Sequence, residues 1–233
     1  MNYTLDHPDI GTVLVTVRRN TRSMTMRWRD GVLHMGVPPT ASPHEVMQTL
    51  DRYSSRLIAR KPTVRFHPDD TLQFQGLTVA IGRQSLRPDK IVAQLHGTDG
   101  TVSIGSSIDP DSDDTARSVS RLICRMALRV APECLIPRGR ELARLHGVSP
   151  RGWEISRGHR KLGHCTSTRI VSLSYVLMFL PPRLRDYIIL HELAHLSEMN
   201  HSPRFHALCD RYCGGREKLL VAELRRYPWP ILL

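Results

Sequence analysis

The chain has 233 residues and a formal net charge of +11, from 33 lysines and arginines against 22 aspartates and glutamates. This length can bury a hydrophobic core in one or two domains, and no stretch approaches the roughly 18 apolar residues of a membrane helix. We expect a cytoplasmic protein, because no secretory signal is apparent at the start and the five cysteines are odd in number and scattered.

Residues 1–108 form a predicted β-rich N-terminal region. Alternating or continuous apolar runs predict strands at 12–17, 24–28, 32–37, 72–74, 77–81, 91–95 and 102–104. Asp30-Gly31 predicts a hairpin turn, and Gly76 and Asp99-Gly100 are expected to divide the later strands. Ser42-Pro43-His44-Glu45 is a capping box, which predicts a helix that continues to about Arg60. No internal repeat is evident.

Residues 109–233 form a predicted second region that is mainly helical. Its helices are expected at 114–131, 138–146, 182–199, 203–213 and 216–226, with strands near 153–156 and 169–174. The polar, acidic stretch 105–114 is the best candidate for the boundary, and Gly214-Gly215 is expected to end a helix. Together the two regions predict an α+β fold.

Four arginines recur every four residues along the predicted helix 114–131, namely Arg117, Arg121, Arg125 and Arg129. Like charges at this spacing destabilise a helix by about a few tenths of a kcal/mol per pair, so an acidic partner such as nucleic acid is one interpretation. Simple solvation of an exposed helix face is the other. The sequence pI near 10.0 agrees with attraction to polyanions.

The pattern with the most chemical content is H-E-x-x-H at His191–His195. Histidines four apart lie on one face of a helix, and the run from Arg183 to Met199 contains no glycine or proline to break that helix. His201 follows in a predicted turn, because Ser202 can cap the next helix with Pro203 at its first position. Three histidines with an open fourth position suit a catalytic zinc ion. Buried histidines bonded to backbone carbonyls are the alternative.

The segment H-E-L-A-H-L-S-E-M-N-H-S-P-R-F, from His191 to Phe205, closely resembles the YgjP-like metallopeptidase family, relatives of the SprT-like and other zincin peptidases. The similarity extends to Lys161–Cys165, to Leu180–Tyr187 and, in the N-terminal region, to Val17–Ser23. The resemblance implies a zincin-like C-terminal metallopeptidase half in 109–233. It also implies a general base at Glu192 and zinc ligands at His191, His195 and His201.

Three positions differ from the family pattern. Leu162 stands where the family has Trp, His164 where it has Ser, and His206 where Trp follows Phe. His164 is therefore a candidate donor to a developing oxyanion, although it could equally be a surface imidazole. Arg160 and Tyr175 are further candidates for contact with substrate or transition state, and His206 is a candidate competing metal ligand.

The expected reaction is hydrolysis of a peptide bond in a peptide or protein substrate. Glu192 would take a proton from a metal-activated water and return it to the leaving amine. Two alternatives stay open: a zinc-dependent hydrolase of another bond, such as a phosphoanhydride in a nucleotide, and a basic nucleic-acid-associated protein with a structural metal. A His-rich open site could also hold manganese, cobalt or iron.

Overall fold

The computed structural model describes residues 2–29, 31–61 and 63–233. Within those ranges the protein is a mixed α+β structure with three β-sheets and five α-helices. The first sheet has the strand order β1-β2-β4-β3, with β2 and β4 parallel and the outer pairs antiparallel. Its strands are β1 (Asn2–His7), β2 (Gly11–Val17), β3 (Thr25–Arg29) and β4 (Val32–Val37).

The sequence pattern located three of these four strands and missed the edge strand β1. The hairpin turn expected at Asp30-Gly31 includes Asp30, which lies outside the described residues. Helix α1 (Pro43–Ile58) confirms the capping box, since the Glu45 N–H donates to Ser42 Oγ at 3.2 Å and its carboxylate accepts from the Ser42 N–H at 2.8 Å. Val46 and Leu50 on this helix are buried in a cluster with the sheet residues Val13 and Leu33.

The second sheet repeats the topology of the first. Its order is β5-β6-β8-β7, again with the two inner strands parallel and the outer pairs antiparallel. Its strands are β5 (Thr71–Phe74), β6 (Leu77–Gln84), β7 (Ile91–His96) and β8 (Asp99–Gly105). A helix follows and packs on each sheet. The chain thus contains a repeat of four strands and a helix that residue patterns did not reveal.

The expectation that Asp99-Gly100 divides two strands is wrong, because both residues belong to β8. The turn between β7 and β8 lies at residues 97–98, where Gly97 adopts a positive φ of 59°. Gly100 has a different role. A Cβ there would stand 2.6 Å from Met126 Sδ, so glycine allows the following helix to approach the sheet closely.

That helix, α2 (Asp113–Leu145), is continuous over 33 residues, so the prediction of separate helices at 114–131 and 138–146 is wrong. Pro132 and Pro137 each remove a backbone donor, which costs about 3 kcal/mol in a helix interior. Both prolines are exposed, while the apolar face continues beneath them through Ala131, Leu135 and Leu142. Packing of that face offsets the lost hydrogen bonds.

The third sheet lies beside the C-terminal helices and has the order β10-β11-β9. Its strands are β9 (Gly152–Ser156), β10 (Gly163–Cys165) and β11 (Ile170–Ser174), and β10 is antiparallel to β11. A buried 3-10 helix, Tyr175–Phe179, then leads to α3 (Pro182–Ala194), α4 (Pro203–Tyr212) and α5 (Glu217–Arg226). Helix α3 contacts α2, α4, α5 and β10, which makes it the central element of this part of the fold.

In the part of the chain that the structure describes, buried apolar residues form two clusters. One joins residues of the first sheet to α1, and the other contains the second and third sheets together with α2 to α5. The clusters divide the chain between residues 57 and 64, whereas the boundary expected from composition falls at 108/109 and stays a prediction. Within the described ranges, no helix has both the length and the apolar character needed to cross a membrane.

Candidate metal centre

His191 lies in the last turn of helix α3, and His195 directly follows that turn. Pro181 is the N-cap and Pro182 the first helical residue, as expected of a helix that begins at a proline. The helix ends at Ala194 with His195 as its C-cap, five residues earlier than the predicted end at Met199. The imidazole rings of His191 and His195 face the same side, with centroids 5.1 Å apart.

The early end of α3 brings His201 back towards the helix. Ser202 caps α4, since its Oγ accepts from the Phe205 N–H at 3.3 Å, so the chain reverses between the two helices as predicted. His201 Nε2 lies 3.0 Å from His191 Nε2, and one donor nitrogen from each of His191, His195 and His201 lies within 4.8 Å of the others. The structure therefore brings together the three histidines that the spacing selected.

Phe205 forms the floor of this cluster. Its ring is fully buried and lies 4.8 Å from His191, 4.4 Å from His195 and 4.8 Å from His201, measured between centroids. It stacks on His195 and meets the other two rings edge-on. A rigid aromatic side chain in contact with all three imidazoles restricts their rotation, which pre-organises the donors.

The ring nitrogens that face away from the cluster have unequal surroundings. His195 Nδ1 lies 3.0 Å from the Glu198 carbonyl oxygen, which fixes the orientation of that ring. His191 Nδ1 is buried without a hydrogen-bond partner among the described residues. Burial, aided by the neighbouring His195 and His201, lowers the pKa of His191 to about 4, and burial also lowers the pKa of His195. Both are neutral at pH 7, the form that binds metal.

Glu192 is the buried carboxyl group next to this cluster, with 5% of its surface exposed. Burial raises the pKa of Glu192 from 4.5 to about 7, an effect that Lys161 partly opposes. Its side chain packs against the backbone of β10. A Cβ on Gly163 would stand 2.7 Å from Glu192 Cγ and 2.8 Å from Oε1, so this approach requires glycine.

The three histidines and Glu192 line one cavity of about 270 Å³. Residues of β10 and the segment before it form its other wall, and His164 is among them. Tyr175 is buried in the large apolar cluster, and Arg160 lines a separate cavity of about 640 Å³ beside Trp28 and Trp229. Among the described residues around the smaller cavity, neither Arg160 nor Tyr175 is found.

A second polar cluster also contains His191 and was not predicted from the sequence. A donor atom of His191, Cys209 Sγ and a carboxylate oxygen of Glu217 lie within 4.8 Å of one another. Glu217 is buried, and its Oε1 lies 2.9 Å from His206 Nδ1. A hydrogen bond with Cys213, together with burial, raises the pKa of Cys209, so this thiol stays protonated.

The arginine row on α2 lies away from the cavity. Arg121, Arg125 and Arg129 are exposed, while Arg117 is half-buried and pairs with Asp114. Solvation of an exposed helix face accounts for this arrangement, and the comparisons with known proteins described next give no support for a nucleic-acid partner.

A family model described as "YgjP-like, metallopeptidase domain" matches residues 22–227. The chain therefore belongs to the YgjP-like metallopeptidase family, as the resemblance around His191–Phe205 predicted. The matched range extends across both regions that composition had separated at residue 108.

Among solved structures, the chain is similar to two metallopeptidase zymogens, abylysin from Pyrococcus abyssi and jannalysin from Methanocaldococcus jannaschii. The identities are 18% and 22%, over 40% and 39% of this chain and 96% of each of the others. The TM-score is 0.33 in both cases. A comparison with curated proteins found no match.

Proposed function

We propose that this chain is a zinc-dependent metallopeptidase that hydrolyses peptide bonds. His191, His195 and His201 are the proposed metal ligands and Glu192 is the proposed general base. One observation carries the proposal: three imidazoles with donors within 4.8 Å of one another share a cavity with the buried carboxyl group of Glu192, which follows His191 on helix α3. Membership of a metallopeptidase family supports the same conclusion.

The donor set fits zinc. Three imidazoles with an open side towards a cavity form the ligand arrangement of many catalytic zinc sites, whereas structural sites are usually closed by four protein ligands. The contact of 3.0 Å between His195 Nδ1 and the Glu198 carbonyl oxygen agrees with this, since a metal-binding histidine usually donates from its other nitrogen to a nearby acceptor. A bound zinc ion would supply Lewis acidity, which lowers the pKa of water and polarises a carbonyl group.

Glu192 performs the proton transfers in this proposal. It takes a proton from the attacking water and delivers that proton to the nitrogen of the leaving amine. A group that exchanges protons in both directions works best with a pKa near the working pH, and burial brings the pKa of Glu192 to about 7. Glycine at position 163 avoids a clash with this carboxyl, because a Cβ there would stand 2.8 Å from Oε1.

Strand β10 favours a peptide as substrate over a nucleotide. In the described part of the sheet β10 pairs with β11 on one side and is an edge strand on the other. An edge strand can bind an extended peptide through backbone hydrogen bonds, and Gly163, His164 and Cys165 of β10 line the cavity. His164 is the proposed donor to the oxyanion that develops on the scissile carbonyl.

The test is a cleavage assay on denatured proteins and unstructured peptides, with new termini identified by mass spectrometry. Zinc-loaded wild type should cleave, and Glu192→Gln should bind zinc normally but turn over about 100- to 10,000-fold more slowly. Nucleotides in a parallel assay should remain intact. Equal turnover by Glu192→Gln and wild type, or hydrolysis of nucleotides alone, would overturn the proposal.

A further inference from the structure

We propose that Glu217 positions His191 for metal binding by accepting a hydrogen bond from its Nδ1–H group. The inference rests on the metal site proposed above and assigns a role to helix α5, which carries no ligand in that site. Glu217 is a positioning residue in this account, because it acts through His191.

The two ring nitrogens of His191 have different neighbours. Nε2 faces His201 Nε2 at 3.0 Å and so points into the proposed metal site. When Nε2 binds a metal, the ring proton must be on Nδ1. That atom is buried without a partner among the described residues, and a buried donor left unpaired is strongly disfavoured.

His195 shows how the same requirement is met one turn away. Its Nδ1 lies 3.0 Å from the Glu198 carbonyl oxygen, so a backbone acceptor holds the ring and selects its tautomer. His191 lies inside the helix, where the carbonyl groups take part in helical hydrogen bonds. Its acceptor must therefore come from another element.

Glu217 is the buried carboxylate that meets this need. An oxygen of Glu217 lies within 4.8 Å of a His191 nitrogen and of Cys209 Sγ, which is close enough for a small side-chain movement to form the bond. The Glu217 N–H donates to Asp210 Oδ1 at 2.9 Å, which anchors the start of α5 beside α4. Its side chain is 9% exposed, so few of its contacts are with water.

The contact of Glu217 with His206 leaves acceptor sites on the carboxylate for a further bond. His206 Nδ1 lies 2.9 Å from Oε1, and a carboxylate has two oxygens with about four acceptor sites. His206 is also one of the positions that depart from the family pattern. Once bonded to Nδ1, the carboxylate would lie on the opposite side of the His191 ring from a metal on Nε2, an arrangement that increases the basicity of the ligand.

The experiment measures zinc affinity by competition with a chelator. Glu217→Gln keeps the shape of the side chain, removes its charge, and should weaken zinc binding by about 10- to 100-fold. Glu223→Gln is the matched control on the same helix, because Glu223 pairs with Arg183 at the surface, and it should bind zinc within about twofold of wild type. Cys209→Ala should also retain wild-type affinity, since the thiol is not a ligand in this account.

Nitrogen-15 NMR of the zinc-loaded wild type gives a second readout that needs no variant. It should show His191 with its proton on Nδ1, slow exchange with water and a hydrogen bond to a carboxylate. Tight zinc binding by wild type with unchanged affinity in Glu217→Gln would overturn the role of Glu217 alone. If wild type binds no zinc, the proposed metal site itself is wrong. If Cys209→Ala loses as much zinc affinity as Glu217→Gln, then Glu217 is a direct ligand together with Cys209 and not a positioning residue.

Discussion

Burial gives the three histidines of the candidate metal centre different properties. His191 and His195 lie on a packed helix, and burial lowers the pKa of each, whereas His201 lies in an exposed turn. The rings of His191 and His195 are ready to bind metal at neutral pH because no proton has to leave them. The exposed ring supplies the third donor at little cost to folding.

Replacement of His201 should change zinc affinity without changing the stability of the metal-free protein. His201→Ala should abolish tight zinc binding, since it leaves two of the three proposed ligands. The stability of the metal-free protein should change by less than about 0.5 kcal/mol, the usual range for an exposed side chain. Chelator competition and urea unfolding measure the two effects. His164→Ala is the control, because it should retain zinc, and tight zinc binding by His201→Ala would contradict the ligand assignment.

Glu192 should make the stability of the metal-free protein depend on pH. Its folded-state pKa, about 7, is above the ordinary value of 4.5, so the unfolded chain releases this proton first as pH rises. The contribution of this group to folding therefore falls between pH 4.5 and 7. Glutamine has no proton to release, so metal-free Glu192→Gln does not lose this stability. Above pH 7 its free energy of unfolding should be up to about 3 kcal/mol higher than that of wild type, at about 1.4 kcal/mol per pKa unit.

Urea unfolding of both metal-free proteins at pH 4 and pH 8 measures this difference. The two proteins should be similarly stable at pH 4, where Glu192 is mostly protonated in both the folded and the unfolded state. A stability difference that does not change with pH would show that the Glu192 carboxyl is not held in the buried environment described here.

At this scale the sequence predicted His191, Glu192 and His195 because helical spacing alone places them together. His201 was predictable from the capping signals around Ser202. The pairing of His206 with Glu217, and the approach of both to His191, depends on how α4 and α5 pack on α3. No local sequence pattern predicts that packing, so the position of Glu217 near the site was not predicted.

Strand β10 and helix α3 make the closest contact between elements at the site. A Cβ at Gly163 would lie within 2.9 Å of three atoms of the Glu192 side chain. Gly163→Ala should therefore displace the Glu192 carboxyl and reduce turnover by at least tenfold, while zinc affinity stays within about threefold of wild type because the histidines are not moved.

Gly152→Ala on β9 of the same sheet is the matched control. Its Cβ would meet Ile170 at 3.7 Å, an ordinary contact, so turnover should be unchanged. The measurements are steady-state turnover of a cleavable peptide and zinc affinity of each variant. Equal turnover by Gly163→Ala and Gly152→Ala would show that contact with β10 does not control Glu192.

The boundaries of elements were less predictable than their existence. Helix α2 continues through Pro132 and Pro137, which lie between the two predicted helices, and α3 ends at Ala194 although no glycine or proline occurs before Met199. The packing of each helix against the rest of the protein determines where it ends. The strands were mostly located, since alternation and turn residues are local signals.

Across the whole molecule, the two repeated sheet-and-helix units belong to different apolar clusters. The first unit forms its own cluster, and the second shares one with the helices of the candidate metal centre. The two sheets share a strand order but not a repeated sequence, so a search for periodic patterns in the sequence does not detect the repeat. The α+β class was predictable from composition and local patterns, but this organisation was not.

The separation of the clusters predicts independent effects of core mutations. Leu50→Ala in the first cluster should destabilise the protein by about 2–5 kcal/mol while zinc affinity stays unchanged. Leu177→Ala, in the cluster that contains α3, should lower both stability and zinc affinity. Denaturant unfolding and chelator competition measure these quantities. A fall in zinc affinity in Leu50→Ala as large as that in Leu177→Ala would show that the first unit supports the metal centre directly.

X-ray absorption spectroscopy of the zinc-loaded protein tests the central claim most directly, because two donor groups in this structure share His191. We expect three nitrogen ligands at about 2.0–2.1 Å from zinc, with a remaining oxygen and no sulfur. A sulfur at about 2.3 Å would instead place the metal with Cys209 and Glu217, and would contradict the assignment of His191, His195 and His201 as the catalytic site.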